Sequence, residues 1–161
     1  MKTLSDISTT HNKISTFRMC FCPTKGLKIL LLVIIHITAG FNVAQVAKDI
    51  SLLDVVVGHH HIVLIISLSL CLFILIVLSI AIYAAVRHHI LILNVVVIIL
   101  VLNFVGKLII LFVCICTEKN PDKTAAHYMF IISWFITFLC MALVTVYWIR
   151  LCDLAIENEQ N

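Results

Sequence analysis

One charged side chain stands inside an apolar run, Lys107 in the stretch NFVGKLII. A lysine in such a place pairs with a carboxylate, lines a path for ions or protons, or donates to neutral acceptors on another helix. The apolar spans read below contain no Asp or Glu, which leaves the neutral acceptors. Asn42, Gln45 and Asp49 fall at i, i+3 and i+7, a single stripe of a helix, and Asn103 lies one turn before Lys107. The expected site is thus an intramembrane polar cluster of Asn42, Gln45, Asp49, Asn103 and Lys107. Asn42 and Gln45 serve as acceptors and Asp49 is the charge at the membrane rim. Solitary snorkelling of Lys107 toward the surface is the competing expectation.

The histidines and cysteines come next. His59, His60 and His61 form one run and His88 and His89 another, at opposite ends of a long apolar segment. They are separated by about the thickness of the hydrocarbon layer, ~30 Å, and so do not share an ion. Each run by itself supplies few ligands without a carboxylate or thiolate at helical spacing. They read as interfacial histidines, with a pH sensor as the alternative. None of the seven cysteines falls in residues 48–61 or 117–126, the two loops that read as lying outside, so no disulfide framework is expected. Cys20, Cys22 and Cys152 flank cytoplasmic membrane boundaries, where palmitoylation or free thiols are both expected.

These residues have to be held by something, and the composition says what. Of 161 residues, 63% are hydrophobic and 12% charged, whereas soluble domains carry about 25% charge. Four runs approach the roughly 20 apolar residues that cross a bilayer, at about 27–47, 62–86, 90–116 and 127–149. None shows the alternation of a membrane strand, and helices satisfy every backbone group internally. The fold class is therefore all-α integral membrane, a four-transmembrane-helix bundle with short loops. The first run reads as a retained anchor, because about 28 mostly polar residues come first, with three spans as the alternative if it is cleaved.

Residues 1–26 read as a disordered basic tail and 151–161 as a short second tail. Lys2, Lys13, Arg18, Lys25 and Lys28 precede the first span, whereas the loop after it holds only Lys48. The bias places both termini in the cytoplasm. The small residues Gly40, Ala44 and Ala47, with His36, form a second stripe on the first span, and Ser133, Thr137, Cys140 and Val144 a comparable face on the fourth. Both are expected to pack against other helices. Tyr128, Trp134, Tyr147 and Trp148 are expected to anchor at the interfaces.

The segment CFCPTKGLKILLLVIIHI, with paired cysteines, a short polar step, Gly26 and then the first span, resembles the lysosomal-associated transmembrane proteins and the related insect pasiflora-like group. That resemblance implies trafficking, sorting or junction assembly without catalysis, in the plasma membrane or an endosomal or lysosomal membrane. The tail CDLAIENEQN lacks the proline-tyrosine motifs of the lysosomal proteins.

The connections leave no room for a soluble catalytic domain, and no nucleophile, histidine and carboxylate cluster on one side. The expectation is a non-enzymatic multi-span protein that organises, sorts or assembles partner membrane proteins through lateral helix contacts. It needs no cofactor or nucleic acid, and its partners are the bilayer, other integral membrane proteins and possible further copies of itself. The alternative is a small transporter or channel subunit using Lys107 and its polar neighbours.

Overall fold

The computed structural model describes residues 24–117, 120 and 124–159. Most of the tail expected over 1–26, with Cys20 and Cys22, lies outside them. Four helices account for nearly all of the described chain: α1 (Thr24–Leu53), α2 (His59–Arg87), α3 (Ile90–Thr117) and α4 (Tyr128–Glu159). No strand occurs among the described residues. All four are long and apolar enough to cross a membrane. At 1.5 Å per residue the shortest, with 28 residues, extends about 42 Å. The helices thus run beyond the expected spans, by six residues at the end of α1 and by ten at the end of α4.

Short connections force the helices to alternate in direction. His88 and His89 alone separate α2 from α3, and the turn is made by His88 in the left-handed region, φ 56°. Its N–H and that of His89 both return to the Ala84 carbonyl, closing the end of α2. Gly58, with φ 82°, supplies the left-handed residue that leads into α2, a conformation glycine adopts without a Cβ penalty. Each helix packs on its two neighbours in chain order, and α4 closes the ring against α1.

The inward residues repeat at steps of three and four, alternating everywhere but at the start of α1, where two steps of four follow each other. On α1 they are Leu27, Leu31, Ile35, Thr38, Asn42, Gln45, Asp49 and Leu52, and on α3 Leu93, Val96, Leu100, Asn103, Lys107, Ile110 and Cys114. α2 and α4 follow the same rule through Leu64, Ser67, Cys71 and Ile74, and through Phe130, Ser133, Thr137 and Cys140. This is the heptad spacing of left-handed bundles, in which a narrow seam of each helix faces the others.

The seams divide the interior into layers. Toward the end carrying the α2–α3 turn, here the His88 end, the core is apolar around Leu31, Ile35, Ile74, Leu78, Leu100 and Val144. A smaller apolar cluster, with Leu52, Val56, Leu64, Ile110, Ala125 and Phe130, closes the opposite or His127 end. The polar seam residues lie between them. The stripe of His36, Gly40, Ala44 and Ala47 lies on the outer side of α1: all but the half-buried Ala44 are exposed. The expectation for that stripe is corrected, because the polar stripe one step around α1 takes the inward position.

A buried polar core as the candidate functional site

Lys107 is the centre of the polar layer. Asn42 presents a fixed amide to it: the Nδ2 donates to the Thr38 carbonyl at 2.7 Å, which turns Oδ1 toward α3. The Lys107 Nζ donates to Asn42 Oδ1 at 2.9 Å, to Gln45 Oε1 at 3.1 Å and to Ser133 Oγ at 3.0 Å. An ammonium has three hydrogens, and all three have acceptors. The Phe130 ring adds its face, with its centroid 5.8 Å from Nζ, within the reach of a cation–π contact. Lys107 is completely buried, so its charge is met by α1 and α4 and not by solvent.

The hydrogen bonds continue from Lys107 to a second charge. Gln45 accepts with its oxygen and donates with Nε2 to Ser67 Oγ at 3.2 Å. Ser67 donates in turn to Asp49 Oδ2 at 2.9 Å. The direction is the same at each step, so cation, amide, hydroxyl and carboxylate form one aligned chain. Aligned bonds polarise one another, and a low-dielectric interior strengthens each of them.

Asp49 is the second charge. α1 continues past it to Leu53, and the side chain is completely buried among the helices. The neighbouring Lys48 is exposed, since adjacent residues of a helix point in different directions. A buried carboxylate therefore does lie within the same helix as the acceptors, but no direct bond joins it to Lys107.

Two members were missed in the sequence. His127 precedes the first residue of α4, and its Nε2 lies 3.2 Å from Asp49 Oδ1. Its Nδ1 accepts the Phe130 N–H at 3.0 Å and so caps the helix. Ser133 stood in a stripe recognised as a packing face, and its hydroxyl, besides accepting from Lys107, reaches Asn42 Oδ1 at 3.4 Å.

No family model, curated protein or solved structure matches this chain. The site therefore rests on its own geometry.

That geometry does not use every expected residue alike. Asn103 is buried on the seam of α3, one turn from Lys107, but neither atom of its amide has a hydrogen-bond partner among the described residues. Cys71, from α2, lies beside Lys107 and interacts with it. Cys152 is half-buried on α4. His59–His61 and His88–His89 occupy opposite ends of α2, and among the described residues no three His, Cys, Asp or Glu side chains gather as a metal site would require.

At the His88 end a smaller polar cluster joins three helices. Lys28 Nζ donates to the Val86 carbonyl at 3.1 Å and lies 3.4 Å from His88 Nε2. Tyr147 OH lies 3.0 Å from His88 Nδ1 and donates to the Ala85 carbonyl at 3.3 Å. These contacts agree if Nδ1 carries the imidazole hydrogen. Tyr147 is buried in this role and is not the interfacial anchor expected of it. Tyr128 remains exposed, and Trp134 stacks on Phe104 with centroids 5.0 Å apart.

Proposed function

We propose that the chain is a non-enzymatic membrane protein whose four helices cross the bilayer, and that it organises, sorts or assembles partner membrane proteins through lateral helix contacts. The observation that carries this reading is the closed state of the polar core. Lys107 has an acceptor for each hydrogen, and apolar layers cover the polar layer on both sides. A conducting path needs polar groups from one face to the other. Here the polar chain stops at Thr38, and the seam beyond it is built of Leu31, Ile35, Ile74, Leu78 and Leu100.

The remaining surface is the outer wall, where Ile29, Val33, Val43, Phe73, Leu102 and Phe112 are exposed. The groove lined by Ile37, Gly40, Phe41 and Ala44 has the small residues that let a partner's helix come close to α1. Among the described residues Lys25, Lys28, Arg87 and Arg150 belong to the His88 end and Lys48 to the other, where the sequence also has Lys119 and Lys123. By the positive-inside rule both termini face the cytoplasm. The membrane is the plasma membrane or an endolysosomal one, as the resemblance implies.

A second reading, a small transporter, has one observation in its favour. Lys107, Asp49 and His127 are three buried ionisable groups in one hydrogen-bonded chain. The lateral-contact reading is tested with photo-crosslinking residues placed at Gly40, at Ala44 and at the seam position Leu100 in native membranes. The expected outcome is discrete protein adducts from Gly40 and Ala44 and only internal adducts from Leu100. Lipid adducts alone from the outer positions would remove the proposal.

A further inference from the structure

We infer that Asp49 and His127 form a proton-binding site, distinct from the lateral surface and loaded from the His127 end of the bundle. The two ring nitrogens of His127 have opposite roles. Nδ1 accepts the Phe130 N–H, so it bears no hydrogen. The ring's hydrogen is then on Nε2, directed at Asp49 Oδ1 3.2 Å away. The other carboxylate oxygen accepts from Ser67.

This arrangement is complete for a neutral imidazole and an ionised carboxylate, and it has two places for one more proton. On Nδ1 the added proton removes one of the two acceptors of the Phe130 N–H and so weakens the cap of α4. On the carboxylate it competes with one of two donors, the His127 Nε2–H or the Ser67 hydroxyl. Either way the step adds one proton, moves no electrons and breaks one of the three contacts of the pair. The Phe130 N–H keeps its second acceptor, the His127 carbonyl at 2.9 Å, so α4 is loosened at its first turn and not unwound.

The surroundings set which way the pair responds. From α1 come Asp49 itself and the neutral Gln45; from α2, Ser67 and the Cys71 thiol. α3 contributes the Lys107 ammonium, whose charge acts on Asp49, and Cys114. Thr124 belongs to the connection beside Cys114, and the half-buried His60 stands in the first turn of α2.

The direction of loading follows from the two covers. At the His127 end Asp49 is four residues from the end of α1 and His127 precedes the first residue of α4, with Leu52, Val56, Ala125 and Ala126 in the small apolar cluster at that end. Toward the His88 end the core extends several helical turns, and among its described residues the ionisable side chains are Cys140 and Tyr147. A proton arriving at Asp49 is thus felt at Lys107 through Ser67 and Gln45, and goes no further.

The test uses the full chain in lipid nanodiscs with 15N-labelled histidine, the His127 signals being assigned by their loss in His127→Gln. At neutral pH the expected form is the Nε2–H tautomer. Acidification from about pH 8 to 5, the range in which imidazoles commonly titrate, is expected to move both nitrogens through one inflection. Asp49→Asn, which removes the negative charge, lowers the pH of that inflection. Ser67→Ala keeps both titrating groups and removes a donor to the carboxylate, and it changes the inflection if Asp49→Asn fails to fold. An Nδ1–H tautomer at neutral pH, or signals of wild-type His127 that stay constant over the whole range, would overturn the site.

Discussion

Lys107 and Asp49 are both 0% exposed and of opposite charge, yet they do not touch. Gln45 and Ser67 stand between them, each accepting from the cation's side and donating toward the anion's. Burying a charge without a partner is costly, and breaking a buried pair by removing one member destabilises soluble proteins by about 3–5 kcal/mol. In this core the partners are spread over four helices, so the arrangement specifies which seams meet and at what height.

Lys107→Leu therefore leaves insertion of α3 intact but weakens the bundle. Three acceptors lose their donor. Interhelical hydrogen bonds in membranes average about 0.6 kcal/mol, with a maximum near 1.7, so a loss of about 2–4 kcal/mol is expected in detergent unfolding. Unchanged unfolding would show that the bonds contribute nothing.

The two charges are predicted to be coupled. Asp49→Leu alone leaves the ammonium without its distant counter-charge, and Lys107→Leu alone leaves the carboxylate. The double variant should be more stable than the sum of the single losses predicts, by about 0.5–3 kcal/mol, the range found for residues in one network. Additive losses in a double-mutant cycle would argue that Gln45 and Ser67 isolate the two sites.

Ser67→Ala tests the bridge. It leaves Gln45 Nε2 without its acceptor and Asp49 Oδ2 without its donor, at a cost of about 1–3 kcal/mol for buried groups left unmatched. Ser69, two residues on, is exposed and bonds only to the Ile65 carbonyl of its own helix. Ser69→Ala should change the unfolding free energy little, and equal effects of the two substitutions would contradict the account.

Tyr147→Phe probes the other end. The ring stays in the apolar core, but the Ala85 carbonyl and His88 lose the hydroxyl. A loss of about 0.5–1.5 kcal/mol is expected, with faster hydrogen exchange at the His88–His89 turn. The same exchange in both proteins would place the turn's stability in the backbone bonds to Ala84 alone.

How much of this was legible depends on contrast. The four apolar runs marked the four helices, because nothing else produces such lengths. The inward seam was hidden wherever it is apolar, since Leu31 and Leu30 are the same residue type and only one is buried. It became visible where it turns polar, which is why Asn42, Gln45 and Lys107 could be placed together from spacing. Asp49 was placed on the same stripe, but its complete burial was not legible beside the exposed Lys48. His127 was obscured differently: its role depends on a contact with α1 that is 78 positions away in the chain. Asn103 shows the converse, a residue correctly placed by periodicity on the buried face but left without a bond.

The central claim, that the polar core is closed and that function lies on the outer wall, is tested most directly by flux. Purified wild type and Lys107→Leu, reconstituted in parallel into liposomes, are compared for proton and cation movement under an imposed gradient. The account predicts no flux above empty liposomes from either protein. Flux in the wild type that Lys107→Leu abolishes would contradict it, and would make the chain from Lys107 to His127 part of a transport path.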